Sequence, residues 1–79
     1  MARVELWGAL QDLAGWRVRD IPAATVGELT RAIAEADGRL GARLGGQDVM
    51  VVVGDGQVRG DAALAADAEV SFMPPVTGG

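Results

Sequence analysis

The closing run Pro74-Pro75-Val76-Thr77-Gly78-Gly79 ends in a carboxylate with no side chain on either of its last two residues. Lacking Cβ, Gly78 and Gly79 can pass through a channel too narrow for other residues and bring the Gly79 α-carboxylate into another protein's active site. Pro74 and Pro75 have no N–H to continue a strand ladder. Each also biases its predecessor toward extended backbone, so the run is expected to leave the body of the protein straight. Six extended residues reach roughly 20 Å. The chemistry on offer is that of an acyl group, with the backbone end as the reacting atom set.

Side-chain chemistry is sparse by comparison. The 79 residues contain no Cys and no His. Disulfides, thiolate metal sites and a cysteine nucleophile are therefore excluded, together with the commonest general base and zinc ligand. No constellation of nucleophile, base and orienting group can be assembled, so the chain is not expected to be an enzyme in its own right. Asp55, Asp61, Asp67 and Glu69 lack the alternating spacing of a calcium loop and read as solvated turn residues, leaving no metal site. Gly54-Asp55-Gly56 opens no helix and has no following Lys, which makes it a turn and not a phosphate cradle.

Seven basic residues, all Arg, stand against eleven acidic ones, for a net charge of -4. That balance repels nucleic-acid phosphates and anionic lipid and suits a basic protein partner. The absence of Lys leaves no side-chain amine for attachment. Residues 1–7 alternate polar and apolar and do not form a secretory leader, and no stretch has the length of a membrane span, so the expected location is the cytoplasm.

One domain fits this length. Ala2, Val4 and Leu6 alternate with Arg3, Glu5 and Trp7 as in a half-buried first strand. Gly8 and Gly15 bracket a connecting segment. A second strand over Trp16–Ile21 turns Trp16, Val18 and Ile21 toward the core and closes at Pro22. Thr25 and Glu28 form a capping box that starts a helix at Val26. Its buried stripe is Val26, Leu29, Ile33 and Ala36, and Asp37-Gly38 stops it. Leu40 and Leu44 suggest a short second helical piece before Gly45-Gly46. Val49–Val53 is continuous and β-branched, as in an interior strand, and Gly54-Asp55-Gly56 turns into a short strand near Val58. A last strand over residues 69–73 sets Val70 and Phe72 on one face.

This order is that of an α+β domain, a ubiquitin-like β-grasp with a mixed sheet and one main helix packed across it. Residues 1–73 make the β-grasp domain and residues 74–79 a flexible C-terminal tail ending in Gly-Gly. In such a roll the first and last strands run parallel in the middle of the sheet. Trp7 and Met73 then share the face away from the helix, an apolar patch beside the base of the tail suited to partner docking.

Leu6-Trp7-Gly8-Ala9-Leu10 leading to Ala14-Gly15, then Ala24-Thr25-Val26-Gly27-Glu28-Leu29, then Glu69 through Gly79, together resemble the MoaD and ThiS sulfur-carrier family over the whole length. The closing Pro74-Pro75-Val76-Thr77-Gly78-Gly79 looks most like the MoaD branch, the small subunit of molybdopterin synthase. The chain departs from the family pattern in two turns, at Gly54-Asp55-Gly56 and at Ala66-Asp67-Ala68-Glu69.

The resemblance implies a carrier that binds no cofactor itself. An ATP-using, MoeB-like adenylyltransferase would activate Gly79, and a sulfur donor protein would convert it to a covalent thiocarboxylate. A MoaE-like large synthase subunit would then present cyclic pyranopterin monophosphate as acceptor. Gly78, Thr77, Val76, Pro75 and Pro74 would occupy the partner's channel. A carrier for thiamine, cysteine or natural-product pathways, a ubiquitin-like modifier that acylates lysine, and a plain interaction module are the alternatives.

Overall fold

A computed structural model describes residues 1–46 and 48–74. The chain runs β1 (Ala2–Leu6), α1 (Ala9–Ala14), β2 (Val18–Ile21), α2 (Val26–Ala36), α3 (Gly38–Leu44), β3 (Met50–Val53), β4 (Gly56–Val58) and β5 (Glu69–Met73). The five strands form one sheet in the order β2-β1-β5-β3-β4. Its central pair, β1 and β5, is parallel, and the other neighbours are antiparallel. A parallel pair needs a crossover, and here the crossover is nearly the whole chain. This is the expected ubiquitin-like β-grasp, with β3 interior.

The register Val4↔Val70 and Leu6↔Phe72 puts the apolar halves of the two central strands on one face. They are fully buried there with Leu29 and Leu40, and with Ile33 and Leu44 nearly so. The stripe Val26, Leu29, Ile33 of α2 covers this face as its spacing requires, whereas Ala36, expected to extend the stripe, is exposed.

The start of α2 is fully accounted for. Its first three N–H groups have no partner within the helix. Val26 donates to the Ala62 carbonyl (2.8 Å), Gly27 to Asp61 Oδ1 (2.7 Å) and Glu28 to Thr25 Oγ1 (3.1 Å). Glu28 Oε1 reaches back and accepts from the Ala24 N–H (3.2 Å), one residue beyond the cap itself. Asp61 therefore caps a helix and is more than a solvated turn residue.

The helix stop also differs from expectation. Asp37 does the work: its N–H donates to the Ile33 carbonyl (2.8 Å), and its Oδ1 accepts from the Leu40 N–H (3.1 Å), ending α2 and starting α3. Gly38 is simply the first residue of α3.

Two further expectations are corrected. The segment bracketed by Gly8 and Gly15 is a helix, α1, anchored by the buried Leu10, with both glycines at positive φ. The second strand begins at Val18, and the pairings Ala2↔Ile21 and Glu5↔Val18 turn Ile21 inward but Val18 outward. Trp16 precedes the strand and packs partly buried against the core, with the Arg19 guanidinium 4.9 Å from its ring centroid.

Candidate functional site

The candidate site is built on the ends of the two central strands. Beyond the last ladder pair, the Trp7 N–H donates to the Phe72 carbonyl at 3.1 Å and carries the parallel pairing one residue further. Leu6 and Phe72 face the core, so Trp7 and Met73 face the other way. Trp7 is 45% exposed and Met73 half-buried. Across the next strand boundary Met73 pairs with Met50, which is 39% exposed. Trp7, Met73 and Met50 thus form one apolar row over three strands, roughly 10 Å wide from the spacing of neighbouring strands.

The next row of the same face is mixed. Glu5 lies opposite both Val18 and Ser71, and Ser71 opposite Val52. The row after that alternates in charge, Asp20, Arg3, Glu69. The outer face therefore grades from charged at the start of β1 and β5 to apolar at their ends, where Pro74 follows half-buried. The apolar row thus lies beside the point where the chain continues past Met73 into Pro74.

The structure brings Trp7, Met73 and Pro74 to one end of the sheet. Pro75, Val76, Thr77, Gly78 and Gly79 lie outside the described residues, as does nearly all of the expected 74–79 tail. Met50 was missed by sequence reasoning because the uninterrupted run Met50–Val53 shows no alternation that would assign its faces. Only the pairing with β5 turns Met50 and Val52 outward and Val51 and Val53 toward the core. Among the described residues no buried polar side-chain atom lacks a partner, and no three of His, Cys, Asp and Glu gather to hold a metal. No helix among them is long and apolar enough to cross a membrane.

The sequence profile of the ThiS family matches residues 4–79, from β1 through the terminal glycine. The chain belongs to the ThiS family. Members of this family are small ubiquitin-like carriers and modifiers, and solved structures agree with that assignment. The crystal structure of small archaeal modifier protein 1 from Haloferax volcanii is 28% identical, covers 99% of this chain and 98% of its own, and superposes with a TM-score of 0.86. A second crystal structure of the H. volcanii protein is also 28% identical, with coverages of 95% and 97% and a TM-score of 0.78. The solution structure of small archaeal modifier protein 1 from Methanosarcina acetivorans has a TM-score of 0.87 at 17% identity, with coverages of 99% and 95%, and bears on the fold alone. No curated protein sequence matches the chain.

Proposed function

We propose that this ThiS-family chain is a sulfur carrier that reacts through the Gly79 carboxylate and serves molybdopterin synthesis as the small subunit of the synthase. The observation that carries the reading is the family match running through Gly78-Gly79, behind a strand that ends beside an exposed apolar row. A carboxylate is a poor acyl donor because its charge is delocalised and its oxygen leaves badly. Attack of the Gly79 carboxylate on the α-phosphorus of ATP, in a MoeB-like adenylyltransferase, expels pyrophosphate and gives an acyl-adenylate with a good leaving group. Sulfur at the oxidation level of sulfide, brought by a donor protein, attacks that carbonyl and releases AMP. The thiocarboxylate then delivers its sulfur to cyclic pyranopterin monophosphate in a MoaE-like large subunit, and hydrolysis returns the carboxylate.

In this reading Gly78 permits close approach, Thr77 and Val76 make backbone and side-chain contacts inside the partner's channel, Pro75 and Pro74 set direction, and Trp7 with Met73 docks the partners. The chain contributes an acyl group and a surface, while the partners contribute the catalytic side chains and the ATP site.

The 28% identity to a protein named as a modifier supports a second reading, in which the activated carboxylate acylates a substrate lysine. The two readings share activation and part at the nucleophile. With no Lys of its own, this chain could be attached through its end but could not accept a second copy on a side chain.

Intact mass spectrometry of the protein from its own cells tests both. Replacement of one terminal oxygen by sulfur is expected for the carrier, and isopeptide-linked adducts of higher mass for the modifier. Turnover of cyclic pyranopterin monophosphate by the thiocarboxylated chain with a large subunit decides the pathway. An unchanged mass after incubation with activating enzyme, ATP and sulfide would refute both.

A further inference from the structure

We infer that Gly8 is the seat of the tail, a positioning residue that holds the Pro74 ring and so sets the direction in which the chain leaves the sheet. β1 ends at Leu6, and one residue after Trp7 the chain turns sharply into α1 at Gly8, with φ 59° and ψ -133°. That backbone region is almost closed to L-residues with a side chain. The turn is pinned on both sides: the Trp7 N–H is held by the Phe72 carbonyl, and Leu10 is buried in the core.

Gly8 also lies against the first residue of the closing run. A Cβ built on it would stand 3.1 Å from Pro74 Cγ, closer than ordinary carbon contact, with Cδ in ordinary contact at 3.7 Å. The turn alone explains a glycine at this point, whereas the missing Cβ also leaves the space that the Pro74 ring occupies. Gly15 makes the contrast at the other end of α1, with positive φ but nothing within 4 Å of its would-be Cβ.

The role in activation rests on the carrier reading above. A side chain at position 8 would push the base of the tail aside while leaving the Trp7, Met73, Met50 row in place. Docking would survive and delivery of the carboxylate would not.

The test is pyrophosphate exchange by the cognate adenylyltransferase at varied carrier concentration, with folding of each variant verified by its amide NMR spectrum. For Gly8→Ala we expect kcat to fall about ten- to hundredfold, as for other small misplacements of a reacting group, with KM little changed. Gly15→Ala, also at positive φ but at the other end of α1 with nothing within 4 Å of its methyl, should leave kcat unchanged. Gly8→D-Ala suits this φ and ψ and places its methyl away from Pro74, so it should behave as wild type. A Gly8→Ala variant with normal kcat, or an equal loss in Gly15→Ala, would overturn the seat.

A second readout is independent of any carrier activity. The chain has no Cys, so a nitroxide on Thr77→Cys is unique, and its relaxation of backbone amides maps the direction of the tail. That map should change in Gly8→Ala and stay the same in Gly15→Ala, and an unchanged map in Gly8→Ala would overturn the seat. Absence of exchange with the unsubstituted protein would count against the carrier reading alone.

Discussion

Replacing Gly41 by Ala sets two effects of opposite sign against each other. Gly41 lies inside α3, where Ala is intrinsically better by about 1 kcal/mol. Yet a Cβ at this position would come within 2.3 Å of Ala34 Cβ and 2.4 Å of Ala34 Cα, on the neighbouring α2. Carbon atoms settle at roughly 3.5–4.0 Å, so the two helices would have to part by more than about 1 Å.

They cannot part freely, because Leu40 and Leu44 beside Gly41 are buried under the sheet and Asp37 ties the helices directly together. Overpacking of this kind costs about 1–3 kcal/mol and occasionally more. Contacts this short put the cost at the upper end of that range, so packing wins, with a net loss of about 2 kcal/mol after the propensity gain. For a domain of this size that lowers Tm by roughly 8–16 °C.

The control sits in the same helix. Gly38→Ala meets nothing within 4 Å and should leave Tm unchanged or slightly raised. Thermal unfolding followed by circular dichroism measures both. A rise in Tm for Gly41→Ala matching that of Gly38→Ala would show that α2 and α3 separate without cost, and the packing argument would fail.

Trp7→Ala should change Tm little, since the side chain is 45% exposed, yet weaken docking to the adenylyltransferase about thirtyfold, as for loss of an aromatic hot spot. Calorimetric titration measures this, and a Kd within twofold of normal would remove Trp7 from the docking surface. Gly78→Val should unfold at the unsubstituted temperature but lose pyrophosphate exchange, and undiminished exchange would end the channel-threading idea. Thr25→Ala deprives the Glu28 N–H of its acceptor and should cost about 1 kcal/mol in urea unfolding, most of which Thr25→Ser recovers. Equal losses in the two variants would place the effect elsewhere than in the cap.

Local chemistry was legible wherever one residue decides its own neighbourhood. Thr25 with Glu28 announces the start of α2, the alternation in Ala2–Leu6 and Glu69–Met73 separates core face from outer face, and the lack of Cys and His rules out whole classes of chemistry. The Pro-Pro and Gly-Gly pairs of the closing run are covalent facts that need no fold to be read. Short-range pattern misled where periods were incomplete. Ala9–Ala14 is too short to show a helical repeat, and Trp16 and Val18 share a parity that the irregular approach to β2 breaks.

Tertiary structure decided what depends on atoms far apart in the chain. Asp61 became a helix cap because the crossing segment at Ala62–Leu64 runs against Ala24–Val26, 34 residues away for the Asp61–Gly27 bond. Met50 joined the apolar row only through pairing with Met73, and Gly8 met Pro74 only because β1 and β5 end together. Sequence alone settled which groups exist and, where the alternation is complete as in Ala2–Leu6 and Glu69–Met73, which face they lie on, because covalent identity and backbone period are local. Which of those faces meet was settled by the parallel pairing at the centre of the sheet, since strand register is an agreement between distant segments that neither one encodes by itself.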